Sequence, residues 1–346
     1  MQEQINRRWL IQDRPIGRAL RDSDFRLDSA PVSKVGDGQV MLRTLYLGFD
    51  PALKSWMENI AGYADPTEIG GLMPGSGIGQ VIESRAAGFA PGDLVVGQIG
   101  WQEIAVVAPS KLEPVPADVP PASALSVLGL TGRTAYFGLL EVGKPRAGDT
   151  LVISGAAGAV GSVVGQIGKI AGCRVIGIAG GAAKCAWLTE ELGFDAAIDY
   201  KSEKLRGRLR ELCPAGIDIV FDNVGGDVLN DCLARLTFGA RVVICGGITR
   251  YNADPRDPGQ MPPGPRNYFN VVFTQAIIQG FLVHHFADRY PVGDARLKDW
   301  LRQGLIVDRQ DVQTGFENAP RTLMRLFDGA NRGKQLLKVA EAADAG

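Results

Sequence analysis

Residues 150–172 read TLVISGAAGAVGSVVGQIGKIAG: an apolar run of five, a glycine-rich turn, then a helix-length stretch of small and apolar residues. The turn contains Ala156-x-Gly158-x-x-Gly161, an alanine-started form of the dinucleotide fingerprint. Glycines at this spacing permit a tight turn, let backbone N–H groups approach a pyrophosphate and allow the helix to pack closely on the strand. The helix N-terminus then faces the phosphates with its positive dipole end. A glycine triplet alone also fits an ordinary βα turn, so the reading depends on its surroundings.

Those surroundings repeat the unit. After TLVIS (150–154) and a helix over 158–171 come CRVIGIA (173–179), a helix over 182–192, AAIDY (196–200), a helix over 202–212, IDIVFDNV (217–224), a helix over 227–236 and RVVICGG (241–247). Strands that are apolar throughout are what a parallel sheet covered on both faces requires, so the expectation is a doubly wound α/β sheet. Upstream, the first 125 or so residues read as short strands between turns: QVMLRTLYLGF, GIGQVIESR, PGDLVVGQIG and WQEIAVVAP. That texture is β-rich. Downstream lie a Pro- and Gly-rich loop (252–267), an apolar run to Val283 and an amphipathic helix near 286–304.

Composition excludes several classes. At 346 residues two domains are the default, and hydrophobic and charged shares of 45% and 22% are those of ordinary soluble chains. No stretch approaches the roughly 20 apolar residues that span a bilayer. The start, MQEQINRRWL, lacks the pattern of a signal peptide, so a cytoplasmic location is expected. Net charge is −1 with scattered Lys and Arg, unlike the basic footprint of a nucleic-acid binder. Five widely spaced cysteines, mostly inside apolar runs, imply no disulfide framework.

NAD enzymes of this fold carry an acid about 20 residues beyond the glycine turn to hold the adenosine ribose. This chain has GIAGGAAK there, with Gly180 and Lys184; the missing acid favours the 2′-phosphate of NADP more firmly than Lys184 does, since a lysine there also suits a solvated helix surface. The two histidines, His284 and His285, are adjacent and have no Cys or carboxylate cluster at zinc spacing; no Cys-x-x-Cys occurs, so no metal is expected. Gly-x-Ser-x-Gly is absent, and PGSGIG (74–79) lacks the Lys-Ser/Thr of a phosphate loop. Asp222 and Asn223 fall at the C-terminal end of a strand, where open α/β sheets bind ligands. Ile244 to Gly247 end the next strand and Tyr251 follows, a phenol that suits a substrate oxygen or the nicotinamide ribose and equally suits packing alone.

A series of motifs in one order then resembles a known family over nearly the whole length. INRRWLIQDRPIG, LYLGFDPALKSWM, MPGSGIGQVIESR, LGLTGRTAYFGLL, the glycine turn with its flanks, LGFDAAIDYK, FDNVGG, CGGITRYN, GPRNYFN, GFLVHHFADRY and GFENAP followed by GANRGKQLLKV are similar to medium-chain dehydrogenase/reductases. The likeness is to the zinc-free branch of prostaglandin, alkenal double-bond and curcumin-type reductases. It implies a GroES-like β domain (1–125), a Rossmann domain (126–304) that binds NADPH, a return to the first domain (305–346), and a homodimer. Motif by motif, it places Lys184 and Tyr200 at the 2′-phosphate and adenosine side, and Ala159, Val160, Gly161 and Ser162 at the pyrophosphate with Asn223 beside them. Cys245, Gly246, Gly247, Ile248, Thr249 and Tyr251 would line the nicotinamide, Phe281, Leu282 and Val283 its carboxamide, and Asn331 would reach the cofactor from the last segment. On the substrate side stand Ala52, where the family usually has a tyrosine, with Gln98, Arg133 and Val283; Arg133 is either a cation for an acidic substrate or a solvent-facing residue.

The expected activity is reduction of the carbon–carbon double bond of an α,β-unsaturated ketone or aldehyde, hydride going to the β-carbon and a proton to the α-carbon, with Tyr251 as the catalytic donor. A quinone reductase is the alternative enzyme. A non-catalytic NADPH-binding protein is the alternative from another class.

Overall fold

In the computed structural model, which describes residues 4–59 and 67–343, the chain divides into Met1–Leu125 with Gln310–Gly346 and, separately, Ser126–Arg309. Residues 1–3, 60–66 and 344–346, parts of the stretches read above as the β domain, lie outside the described residues.

The first unit holds β1 (Ile5–Ile11), β2 (Phe25–Pro31), β3 (Val40–Gly48), α1 (Ala52–Glu58), β4 (Ser76–Ser84), β5 (Leu94–Gln98), β6 (Ile104–Val107), β7 (Leu112–Pro114), β14 (Gln310–Thr314), α9 (Ala319–Phe327) and β15 (Lys334–Lys338). One sheet runs β14-β15-β3-β4-β5-β7, with β6 also on β3, so the C-terminal strands close onto β3. Strand β3 shows why the sheet is buried on both faces. Val40, Leu42 and Leu47 join a core with Trp101, Phe316 and Leu323, while Leu45 packs with Ile78, Leu125 and Leu336 on the other side. The antiparallel pair β1-β2 was not legible as strands because INRRWLI carries adjacent arginines. Each finds an acid: Arg7 pairs with Glu103 at 2.6 Å and Arg8 with Asp28 at 2.7 Å.

The second unit opens with α2 (Leu130–Phe137), which continues as a π-helical turn over Gly138–Gly143. Then follow β8 (Thr150–Ser154), α3 (Ala159–Ile170), β9 (Arg174–Ala179), α4 (Ala182–Glu190), β10 (Ala196–Asp199), α5 (Leu205–Leu212), β11 (Ile217–Asp222), α6 (Gly226–Leu233), β12 (Leu236–Ile244), α7 (Asn270–Thr274), β13 (Ile277–Gly280) and α8 (Tyr290–Arg302). The strands form one parallel sheet in the order β10-β9-β8-β11-β12-β13. Alternate residues of a strand face opposite sides. Accordingly Leu151, Ile153, Ile219, Phe221 and Val243 pack with Phe137, Val164 and Trp300, whereas Val152, Val220 and Val242 pack with Leu209, Cys232 and Leu233. Burying each such side chain contributes roughly 1.5–3 kcal/mol, which is why continuous apolar runs mark these strands. The strand order reverses between β8 and β11, and at such a switch point ligands of open α/β sheets bind.

Several elements differ from their expected bounds, and two regions show why. The strand read at 241–247 begins at Leu236 and ends at Ile244, so the expected helix over 227–236 stops at Leu233. The helix read near 286–304 is a 3₁₀ segment, Val283–Arg289, with a break at Phe286, followed by α8. Pro291 in the first turn of α8 explains the division, because proline is favoured at a helix start and has no N–H for the turn before it.

Candidate active site

The turn after β8 is built for close approach. Gly155 has φ +59°, and a Cβ on Gly161 would lie 2.5 Å from the Gly155 carbonyl oxygen and 2.8 Å from Ala156 Cα. The loop therefore lies flat on α3. Gly158 is the N-cap, and the first-turn N–H groups of Ala159, Val160 and Gly161 have no carbonyl earlier in the helix to bond. A pyrophosphate fits such a cradle, since anions bind at helix N-termini. The candidates divide by depth. Ala156 is fully buried and its N–H donates to the Ile178 carbonyl at 3.0 Å; Ser162 is buried and its hydroxyl turns back to the Ala159 carbonyl at 3.2 Å. Those two and Gly161 shape the loop, while Gly158, Ala159 and Val160 are partly exposed on it.

At the next βα turn, Gly181 is the N-cap of α4 with φ +97°, and half-buried Lys184 stands on the first turn of that helix. Tyr200, just beyond β10 and 51% exposed, brings its ring over Gly180, where a Cβ would come within 3.0 Å of it. Gly180 and Tyr200 thus meet at one turn, and Lys184 stands on the helix that leaves it. An acid stands there after all, Asp199 at the end of β10, outside the position where the fingerprint carries one.

At the switch point the ends of β8 and β11 are clasped by side chains. Ser154 Oγ donates to Asp222 Oδ1 at 2.6 Å, the Asn223 N–H donates to Ser154 Oγ at 2.8 Å, and Asn223 Nδ2 donates to the Ser154 carbonyl at 2.8 Å. Burial pushes the Asp222 carboxyl up, against the opposing hydrogen bonds from Ser154, Gly225 and Val224. Ser154 was missed in the sequence; its only signal is its place as the last residue of the strand before the glycine turn.

The segment after β12 is tied to the one after β11. The Cys245 and Gly246 N–H groups donate to the Asp222 carbonyl at 2.9 and 3.1 Å, Ile248 N–H to the Asn223 carbonyl at 3.3 Å, and Thr249 Oγ1 to the Val224 carbonyl at 2.8 Å. Gly247 caps the 3₁₀ turn Ile248–Arg250, and half-buried Tyr251 ends it, its N–H donating to the Ile248 carbonyl at 3.3 Å. Tyr251 is therefore carried on an anchored turn. The Phe281 ring lies edge-on to Phe221 and Phe286, and Val283 packs on the same core, whereas Leu282 is exposed.

All five cysteines are thiols, and burial pushes each one up: Cys173 and Cys213 to about 11, Cys245 to about 12, with Cys185 and Cys232 also raised. None is tuned as a nucleophile. His284 and His285 are exposed with ring centroids 4.5 Å apart. Among the described residues no three His, Cys, Asp or Glu side chains converge as a metal site needs, and no helix is long and apolar enough to cross a membrane.

Arg133 has a task other than either one expected of it. Its fork donates to both oxygens of Asp294 on α8, at 2.8 and 2.7 Å, and its guanidinium lies 4.5 Å from the Tyr290 ring centroid. With its side chain 15% exposed, it staples α2 to α8. Three candidates belong to the first unit. Ala52 opens α1, Gln98 donates to Ser76 Oγ at 2.7 Å, and buried Asn331 donates to the Gly333 carbonyl at 2.9 Å.

A family described as the N-terminal domain of oxidoreductase matches residues 7–115, and one described as zinc-binding dehydrogenase matches residues 159–295. The chain is 40% identical to the NADPH-dependent curcumin reductase of Escherichia coli, over 98% of both chains. It is 35% identical to the NADP(+)-dependent 2-alkenal reductase of Nicotiana tabacum, over 98% of this chain and 99% of that one. The crystal structure of CurA from Vibrio vulnificus in complex with NADPH matches 97% of this chain and 99% of that one, with a TM-score of 0.90 at 38% identity. The fold and the glycine cradle define a dinucleotide-dependent oxidoreductase. The chain belongs to the medium-chain dehydrogenase/reductase family, among its NADP-dependent reductases, and NADP(H) is its cofactor.

Proposed function

We propose that the chain reduces the carbon–carbon double bond of α,β-unsaturated ketones or aldehydes. The observation that carries this reading is the end-to-end similarity to a curcumin reductase and a 2-alkenal reductase, whose named substrates both place a double bond beside a carbonyl. When bound, NADPH supplies the hydride, which goes to the β-carbon of the substrate. The chain's own residues do the rest. The β8–α3 turn holds the pyrophosphate, Lys184 and Tyr200 hold the 2′-phosphate side, and the 245–251 and 281–283 segments line the nicotinamide half. Tyr251 donates a hydrogen bond to the carbonyl oxygen as negative charge builds there and keeps its proton, and the α-carbon takes a proton from solvent. Five unpaired thiols suit a reducing compartment, so we assign it to the cytoplasm.

A panel of enals, enones, quinones and alcohols, scored by NADPH oxidation, tests this directly. Turnover of enals or enones is expected, unchanged after dialysis against a strong chelator. Turnover confined to quinones or alcohols, or stoichiometric zinc whose removal abolishes activity, would overturn the reading.

A homodimer is part of the same proposal. Strand β13 ends the parallel sheet with its outer edge unpaired by any described strand, and Ile277 on it is 61% exposed. Tyr268, Phe269, Val272 and Phe273 of the adjoining turn and helix are also exposed, Phe273 at 74%. A contiguous apolar patch beside an open strand edge is what soluble chains cover, and a second copy about a two-fold axis covers it with the same surface. Sedimentation should show a dimer at micromolar concentration and a monomer for Ile277→Lys combined with Phe273→Glu. A monomeric parent, or a dimer indifferent to both substitutions, removes this interface.

A further inference from the structure

Asp199 is an acid beside the turn assigned to the 2′-phosphate, yet both its oxygens are engaged by neighbouring donors. The N–H of Gly181, N-cap of α4, donates to Asp199 Oδ1 at 2.8 Å, and the Lys201 N–H donates to the same oxygen at 3.0 Å. Ser202 Oγ donates to Asp199 Oδ2 at 2.9 Å. The Gly181 and Lys201 N–H groups, with Ser202 and the Lys201 charge, hold this carboxyl below the usual carboxylate range despite some desolvation. The next acid along, Glu203, is also taken up, accepting the Asp199 N–H at 2.8 Å and pairing with Arg208 at 2.6 Å.

The clasp sets where the following side chains go. A Cβ on Gly180 would lie 3.0 Å from Tyr200 Cε1 and 3.0 Å from Lys201 Cε, so the phenol ring and the lysine stem lie together over the backbone that leads into α4. Lys184 stands on the first turn of that helix. A 2′-phosphate carries close to two negative charges at neutral pH, about −1.5 to −2 for a phosphomonoester, and one lysine balances only one of them.

We propose that Lys201 is a second cation selecting the 2′-phosphorylated cofactor, and that Asp199 is the positioning residue that presents it by tying the Lys201 backbone to the N-cap of α4. The proposal deepens the NADPH reading and rests on it. NADH, with a neutral 2′-hydroxyl, gains nothing from Lys201, so the contribution is one of selection. Asp199 acts through the turn and touches no cofactor atom, and its oxygens are engaged by three donors, which removes the repulsion an outward carboxylate would exert.

Equilibrium binding of NADPH, NADH, 2′,5′-ADP and 5′-AMP to the intact protein tests the assignment without recourse to turnover. Lys201→Met should weaken NADPH and 2′,5′-ADP about five- to tenfold and leave NADH and 5′-AMP unchanged. Asp199→Ala should give the same selective loss, whereas Asp199→Asn, which keeps the oxygen acceptor, should stay within about twofold of the parent. Lys201→Met binding 2′,5′-ADP as tightly as the parent, or losing all four ligands equally, overturns the role of Lys201. Asp199→Asn binding NADPH more tightly than the parent would show that the carboxylate merely opposes phosphate, and overturns the positioning role. A parent protein that binds 5′-AMP as tightly as 2′,5′-ADP overturns the NADPH reading itself and is recognised before any variant is made.

Discussion

Replacement of Tyr251 by phenylalanine is expected to slow single-turnover hydride transfer roughly 10²-fold or more while leaving NADPH affinity near that of the parent. Loss of one donor at a developing oxyanion typically has that effect, because the donor stabilises the transition state more than the ground state. A tyrosine suits the role, since with an ordinary pKa near 10 it keeps its proton at neutral pH. The structure adds preorganisation. Tyr251 ends a turn whose backbone and Thr249 hydroxyl are bonded to the residues after β11, so the backbone that carries the phenol is anchored. The competing role, a hydrogen bond to the nicotinamide ribose, gives the opposite kinetics: weaker NADPH binding, with hydride transfer near normal at saturating cofactor. An unchanged single-turnover rate in the Phe variant removes Tyr251 from the catalytic set.

Lys184→Ala is expected to weaken NADPH binding by roughly ten- to a hundredfold and to spare NADH. The magnitude follows from a charge-assisted contact to phosphate, typically about 1.5–3 kcal/mol when desolvated in part. Half-buried on the first turn of α4, Lys184 also has the helix dipole behind it, which favours an anion at that end. Dissociation constants for both cofactors decide the matter. Equal losses would indicate damage to the turn in place of a lost phosphate contact.

The parallel sheet was legible because its strands are apolar on both faces, as Leu151, Val152 and Ile153 show by dividing between two cores. Helix α2 was harder to see. Gly132 argues against a helix by propensity, yet a Cβ there would overlap the Val127 carbonyl, so close packing overrides propensity at that position. The geometry of the candidate site was legible where its residues lie on contiguous backbone, as in the glycine turn and in FDNVGG. It was not legible where a residue works through a distant partner. Ser154 and Asp222 are 68 positions apart, and Arg133 and Asp294 are 161 apart, so neither pairing leaves a local mark. Asp199 escaped notice for a related reason: the missing acid was sought after the second strand, and the acid present follows the third and bonds backward over 18 positions to Gly181.

The raised thiols bear on the proposed reduction of enals and enones. Enals and enones are Michael acceptors that alkylate cysteine through its thiolate, so under the proposed activity the protein would work among reagents capable of alkylating it. A thiol held at about 11 is ionised to roughly one part in ten thousand at pH 7, and one held at about 12, like Cys245 in the segment assigned to the nicotinamide, less still. Under the proposed activity, the burial that keeps Cys173, Cys213 and Cys245 protonated would slow their alkylation by such substrates.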